Sequence, residues 1–197
     1  IYPYGRPEMA LANLMLAQLA RHYGARYTGH AGLSDAKLPS VEAGYQKALT
    51  GIPTLMASGS LWMDAGLLSI DEVCSPVQLI LDHEFLSALR HLIKSFTVDP
   101  ESIGLETLLE AGPAGQYLDK DHTVRYLRSE HWQPKLWSRE MLIPWLDGPR
   151  KLDADKARDQ ALAFKHDFQS SPAPMLPDDF ETEFQRIIQH ARRDLAL

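Results

Sequence analysis

Cysteine is almost missing from this chain. Cys74 stands alone among 197 residues, so no internal disulfide can form and nothing points to an oxidising compartment. Without a CxxC partner, it reads as an inert core thiol. Long apolar runs are missing too. The most apolar stretch, Met9 to Ala20, is too short to cross a bilayer and contains Asn13 and Gln18. It lacks the charged leader and cleavage site of a signal peptide, so a cytoplasmic location and no membrane partner are expected. There is no excess of positive charge. At a net charge of −6, a general nucleic-acid binder is disfavoured. Metal-binding spacings such as HExxH and CxxC do not occur. Asp82, His83 and Glu84 are consecutive, and on a helix they point about 100° apart, so they cannot converge on one ion. Credible strands are also scarce. What remains is an apolar content of 45%, ordinary for a globular protein, distributed mostly in helical patterns.

The most informative stretch runs from Tyr27 to Leu49, YTGHAGLSDAKLPSVEAGYQKAL. A short β-type run, Arg26-Tyr27-Thr28, stops at Gly29. A compact loop follows with Gly32, Ser34, Asp35 and Lys37. Pro39-Ser40 then opens a helix rich in small residues: Ala43, Gly44, Ala48 and Gly51. This is the order of a βα unit, in which chemistry sits just past the C-terminal end of the strand. Upstream, Pro7 opens a nearly all-apolar helix over Met9–Tyr23, ended by Gly24. Only Glu8, Gln18 and His22 form a polar stripe on it, so burial over most of its circumference is expected, with Asn13 as a hydrogen-bonded buried amide. Pro53 is expected to kink or end the helix after Ser40. Ser58-Gly59-Ser60 and Leu61-Trp62-Met63 read as a second buried strand ending at Asp64 and Gly66. Ser75-Pro76 begins a third helix reaching about Phe96, with Leu81, Phe85, Leu89, Leu92 and Phe96 on one face.

Beyond Val98 the texture changes to short helices, over Glu101–Glu110, Asp121–His131 and Ser138–Trp145. A charged amphipathic helix follows over Lys151–Phe168, then the linker Ser170-Ser171-Pro172-Ala173-Pro174. The last helix starts at Pro177, with Phe180, Phe184, Ile187, Ile188, Ala191 and Leu195 on one face. Its acidic start and basic end, Arg192 and Arg193, suit the helix dipole. Two short parallel-type strands cannot make a stable sheet alone. With Ile1 at its first position, the chain is read as a processed or truncated product: the C-terminal portion of a (β/α)8 TIM barrel, class α/β, followed by a helical C-terminal appendage. Residues 1–98 would supply the last βα units and residues 99–197 the appendage. A missing N-terminal part, or another chain, would complete the barrel.

Several ordered motifs carry a family resemblance. These are GLSDAK, the helix with AGYQKAL, the strand region with DAGLLS, the helix with LDHE, and GPAGQYLDKDHT before a tryptophan-rich segment. Together, from about Gly5 to Leu146, the chain resembles the C-terminal part of the trimethylamine methyltransferase (MttB-like) superfamily. The resemblance implies a TIM-barrel methyltransferase, related to methanogenesis, that moves a methyl group from a small methylated amine to the cobalt of a corrinoid. A separate corrinoid carrier protein would be a partner, and a homo-oligomer is expected. Some members contain pyrrolysine and use trimethylamine; others lack it and use glycine betaine or related quaternary amines. No non-standard residue occurs here, which leaves a member of the second kind or a position outside this chain. The carrier signature D-x-H-x-x-G is absent: the nearest string is Asp121-His122-Thr123, with Lys120 where the aspartate would stand. The corrinoid is therefore expected on the partner and not tightly bound to this chain.

A quaternary ammonium has no N–H to donate, so aromatic faces and carboxylates suit it. A betaine carboxylate needs cations or backbone N–H groups. Asp35 and Lys37 stand in the strand-to-helix loop as candidates to face substrate or corrinoid; the alternative is a loop ion pair or an Asp turn. His30 follows the first strand, and a local hydrogen bond is its alternative role. Asp64 occupies the equivalent place in the next unit, with an N-cap or turn as its alternative. Trp62 reads as core packing more readily than as part of an aromatic cage. Tyr2 and Tyr4 could belong to the preceding loop. His122, Arg125 and Glu130 form a polar cluster on a short helix, by default a solvated face. No catalytic residue or metal ligand is identified. The readings that compete are a non-catalytic α/β-helical interaction subunit and an unrelated TIM-barrel enzyme, such as a lyase.

Overall fold

The computed structural model describes residues 4–60, 62–171 and 179–194. Two compact units are present, 1–161 and 162–197. The first contains α1 (Pro7–His22), α2 (Val41–Ser58), β1 (Leu67–Leu68), β2 (Val73–Cys74), α3 (Pro76–Leu92), α4 (Pro100–Ile103), α5 (Leu105–Ala111), α6 (Asp121–Glu130), α7 (Leu142–Asp147) and the start of α8 (Asp153–Ser170). The second contains α9 (Phe180–Asp194). The class is α/β, dominated by helices. The expected start of the last helix at Pro177, residues 172–174 of the linker, Tyr2, Leu61 and Leu195 lie outside the described residues.

Local chemistry explains the helix starts. Ser40 caps α2 by accepting from Ala43 N–H, and Ser75 caps α3 by accepting from Gln78 N–H. Pro76 follows at the first helical position, where a missing N–H is harmless. Asp99 and Ser102 form a reciprocal capping box at α4. Pro53 does not end α2, which continues to Ser58. Threonine hydroxyls bond back along the helix on both sides of it, Thr50 to the Gln46 carbonyl at 3.0 Å and Thr54 to the Thr50 carbonyl at 2.7 Å. The lost N–H bond at Pro53 is therefore absorbed within a pinned segment.

The strands fall elsewhere than expected. Arg26–Thr28 is not a strand; the pairing falls later, at one parallel bridge from Ala31, in the expected loop, to Met63 of the second expected strand, with Asp64 N–H donating to the Ala31 carbonyl at 3.2 Å. Ser58 belongs to α2, and Gly59 is its left-handed cap. An unexpected antiparallel hairpin pairs Leu67 with Cys74 and Leu68 with Val73. Its turn carries two non-glycine residues with positive φ, Ser69 and Ile70. Their N–H groups donate at 2.8 Å to the carbonyls of Ala36 and Ser34, holding the turn on the 34–36 loop. Cys74 is exposed rather than a core thiol: it lies on β2, both of whose residues are exposed and which, among the described residues, is an edge strand paired with β1.

The helices bury unusual faces. Small residues of α1 (Ala10, Asn13 and Ala17) face inward, while Leu11, Met15, Leu16 and Leu19 are about half exposed. The expected burial around most of α1 is not met, since among the described elements α2 is its only extensive neighbour. On α3 the buried positions include Gln78, Asp82 and Glu84 beside Leu89, whereas Leu92 and Phe96 are exposed and Phe96 lies past the helix end. Trp62, expected to pack in the core, is 66% exposed. It precedes the single bridge, where no described neighbour covers it. No described helix is long and apolar enough to cross a membrane.

Candidate active site

The site is built around the parallel bridge that joins Ala31 to Met63. Past the Ala31–Met63 bridge the first chain segment must turn toward α2. Gly32 makes that turn at φ +75°, and a Cβ there would overlap the Met63 side chain at 2.6 Å. Its N–H donates to Thr50 Oγ1 at 3.0 Å. The loop beyond is organised by α2: Gln46 Oε1 accepts both the Ser34 hydroxyl and the Asp35 N–H at 2.8 Å.

Of the four candidates, His30 and Asp64 are brought together. The His30 Nδ1 lies 3.3 Å from Asp64 Oδ2, with the imidazole 67% exposed and the carboxylate only 17% exposed. The Tyr4 ring stands edge-on to His30 at 6.1 Å between centroids. Beneath them, Asn13 donates to the His30 carbonyl at 2.9 Å and accepts from the Tyr27 hydroxyl at 2.8 Å. Asn13 is thus the buried, hydrogen-bonded amide expected of it. Burial pushes the Tyr27 hydroxyl above its ordinary value.

Asp35 and Lys37 form a second pair, joined through backbone. The Lys37 ammonium donates to the Asp35 carbonyl at 2.6 Å, while the Asp35 carboxylate accepts from Gly5 N–H at 3.3 Å. A direct loop ion pair between the two side chains is not formed. No hydrogen bond or ion pair among the described residues joins this pair to His30 and Asp64.

The strongest polar feature was not singled out by sequence reasoning. Lys47, on α2, is 1% exposed, and its ammonium lies 2.9 Å from Asp82 Oδ2 on α3. It also donates to the Gly32 carbonyl at 2.6 Å and reaches the Asp64 carbonyl at 3.4 Å. Asp82 accepts in addition from Gly66 N–H at 2.8 Å and Gln78 Nε2 at 2.7 Å. Burial pushes the Asp82 carboxyl up, opposed by the charge and hydrogen bond of Lys47 and by the Gly66 and Gln78 donors. One signal for Lys47 did exist. It falls on the stripe Ala43, Lys47, Thr50, Thr54, whose spacing of four, three and four marks a single helix face.

Glu84 diverges from Asp82. Its Oε1 accepts from the N–H groups of Lys135, Leu136 and Trp137 at 2.7, 2.8 and 3.4 Å. Lys156 of α8 binds the Leu136 carbonyl at 3.0 Å, so residues 135–137 are held from both sides. His122, Arg125 and Glu130 do not form one cluster. The first two engage Glu101, and Glu130 pairs with Lys94 at 3.2 Å.

Comparison with known proteins gives this geometry a context. The family model described as trimethylamine methyltransferase (MTTB) matches residues 2–196. The chain is 27% identical over 172 residues to trimethylamine methyltransferase MttB of Desulfitobacterium hafniense (strain DSM 10664 / DCB-2), covering 87% of this chain and 34% of that protein. It is 32% identical over 146 residues to a glycine betaine methyltransferase of Desulfitobacterium hafniense (strain Y51), covering 72% and 30%. It is 27% identical over 191 residues to trimethylamine methyltransferase MttB2 of Methanosarcina mazei, covering 97% and 38%. The chain spans about a third of the length of these relatives. With its family model matched almost end to end, the chain belongs to the trimethylamine methyltransferase (MTTB) family.

Proposed function

We propose that the chain is the C-terminal part of a (β/α)8-barrel methyltransferase that takes a methyl group from a small methylated amine, with quaternary amines and betaines preferred, and passes it to the cobalt of a corrinoid on a separate carrier protein. Residues 1–98 would be its last βα units and residues 99–197 a helical appendage. The observation that carries this reading is the meeting of His30 and Asp64 across the parallel bridge, His30 one residue before Ala31 and Asp64 one residue after Met63. Barrel enzymes assemble their sites just past the paired strands, where Asp64 stands.

A corrinoid arriving on a partner needs an outward-facing rim, and the residues fit that need: His30 is two-thirds exposed yet held by Asp64. When bound, reduced corrinoid supplies a cobalt nucleophile strong enough to accept a methyl group directly. The chain's own work is to orient the donor. Asp64 would attract the cationic nitrogen, with the Tyr4 and His30 rings beside it. The nitrogen loses its positive charge as the methyl group departs. A carboxylate therefore stabilises the bound substrate more than the transition state, so Asp64 contributes to binding rather than to the chemical step. Lys37, with one N–H on the Asp35 carbonyl, keeps donors for a betaine carboxylate.

The test is demethylation by the complete protein with its corrinoid carrier, read from the cobalt absorbance, across trimethylamine, glycine betaine and tetramethylammonium. Corrinoid methylation by at least one quaternary amine supports the reading. Inertness toward the whole panel with a competent carrier would remove it.

A further inference from the structure

Among the described residues, the parallel pairing at the site is a single bridge, and the chain carbonyls just beyond it have no strand partner. Gly32 follows Ala31, and Asp64 follows Met63. Both carbonyls are collected by one group, the Lys47 ammonium, at 2.6 and 3.4 Å. An ammonium has three N–H donors. The third goes to Asp82 Oδ2 at 2.9 Å. Asp82 in turn holds the Gly66 N–H at 2.8 Å, two residues past Asp64. Lys47 therefore ties together, out of water, the two segments that leave the bridge, one at Gly32, two residues past His30, and the other at Asp64 itself.

We propose that Lys47, backed by Asp82, is a positioning residue that sets the His30–Asp64 geometry, and this rests on the functional reading above. An ordinary helix-to-helix ion pair would need only one lysine N–H. Here the other two are spent on the carbonyls where the two loops leave the bridge. Buried ionic groups at such a place serve geometry more readily than net stability, since a well-packed neutral pair is often as stable. Loosening this anchor would let Asp64 drift from His30 without unpacking α2 from α3.

The experiment uses the complete protein with its carrier and a double-mutant cycle. The neutral pair Lys47→Met with Asp82→Asn keeps an acceptor for Gly66 and removes the ammonium that donates to the two carbonyls, without leaving a lone buried charge. It is compared with Asp64→Asn and with the combination. The expected result is a fall in kcat/KM of about tenfold or more, carried mostly by KM, with the added Asp64→Asn change costing little further. Hydrogen exchange at Asp64–Gly66 should quicken while the amides of α2 and α3 stay protected. Additive losses, or unchanged exchange at Asp64–Gly66, would overturn the proposal. If the neutral pair does not fold, the same cycle is run on Lys47→Arg, which retains the charge but cannot reproduce three convergent bonds. If Asp64→Asn and His30→Ala are themselves silent, the functional reading fails, and the exchange measurement alone then decides whether Lys47 holds these loops.

Discussion

The Lys47 ammonium and the Asp82 carboxylate lie 2.9 Å apart, with side chains 2% and 3% exposed, at the junction of two helices and two loops. Removing one partner leaves the other charged and dry. Lys47→Met should therefore destabilise the protein by about 3–5 kcal/mol near neutral pH. The deficit should depend on pH with a definite sign. Burial already pushes the Asp82 carboxyl up, and Lys47 opposes that push. In the variant the Gly66 and Gln78 donors still oppose that push but the ammonium does not, so the folded state holds the proton more tightly than the unfolded chain does. The deficit is then smallest below the ordinary carboxylate range and grows as pH rises through the raised folded-state value. Denaturant titrations of both proteins from pH about 4 to about 8 check this. A deficit that shrinks as pH rises would contradict it.

Glu84 should matter for a different reason. Its carboxylate satisfies the N–H groups of Lys135, Leu136 and Trp137, and Glu84 is 3% exposed. Glu84→Ala should cost about 3 kcal/mol, whereas Glu84→Gln, which keeps an acceptor, should cost about half of that. Limited proteolysis should show new cleavage near residues 133–137 in the alanine variant. Equal losses for the two variants would argue that volume rather than hydrogen bonding is what counts there.

Asn13 links α1 to the candidate site by holding the His30 carbonyl and the Tyr27 hydroxyl. Asn13→Ala leaves two polar groups without partners and should cost about 2–3 kcal/mol. Tyr27→Phe removes one hydrogen bond and should cost about 1 kcal/mol. Thermal melts of the two variants test the ordering, which is the informative part.

How much of this could be read in the sequence depended on whether the cause was local. Ser40 and Ser75-Pro76 announced the starts of α2 and α3, because a cap is decided within three residues. Gly24, with φ +67°, marked the end of α1 for the same reason. The strand near Tyr27 was placed too early, since Arg26–Thr28 has suitable residue types but its pairing waits until Ala31. Strand pairing is a property of two segments, and one segment's composition does not fix it. The β1–β2 hairpin gave no turn signal; positive φ at Ser69 and Ile70 is imposed by their bonds to the 34–36 loop. The order of the expected βα units puts His30, Asp35, Lys37 and Asp64 past strand ends; in the structure Asp35, Lys37 and Asp64 follow the bridge, whereas His30 precedes it. Lys47 is not legible from its residue type, since lysine is almost always at a surface; only its place on the Ala43–Thr50–Thr54 stripe argues otherwise.

The apolar face of α1 offers a test of the barrel proposal. Leu11, Met15 and Leu19 are 55%, 55% and 50% exposed. If upstream barrel elements cover them in the complete protein, Met15→Lys with Leu19→Lys should destabilise that protein by several kcal/mol, at about 1.5–3 kcal/mol per buried side chain. In the 197-residue chain alone, the same changes should reduce self-association and dye binding to exposed apolar surface. Sedimentation and unfolding measurements on both forms check the contrast. Equal tolerance in the two forms would count against burial of this face by barrel elements.

The most direct measurement is steady-state methyl transfer from glycine betaine by the complete protein and its carrier, comparing Asp64→Asn with the unaltered enzyme. A carboxylate that holds a cation which then loses its charge should act on binding, so KM should rise about tenfold or more while kcat changes little. An unchanged kcat/KM in a well-folded Asp64→Asn enzyme, or a fall in kcat with KM untouched, would contradict the placement of the substrate nitrogen beside His30 and Asp64.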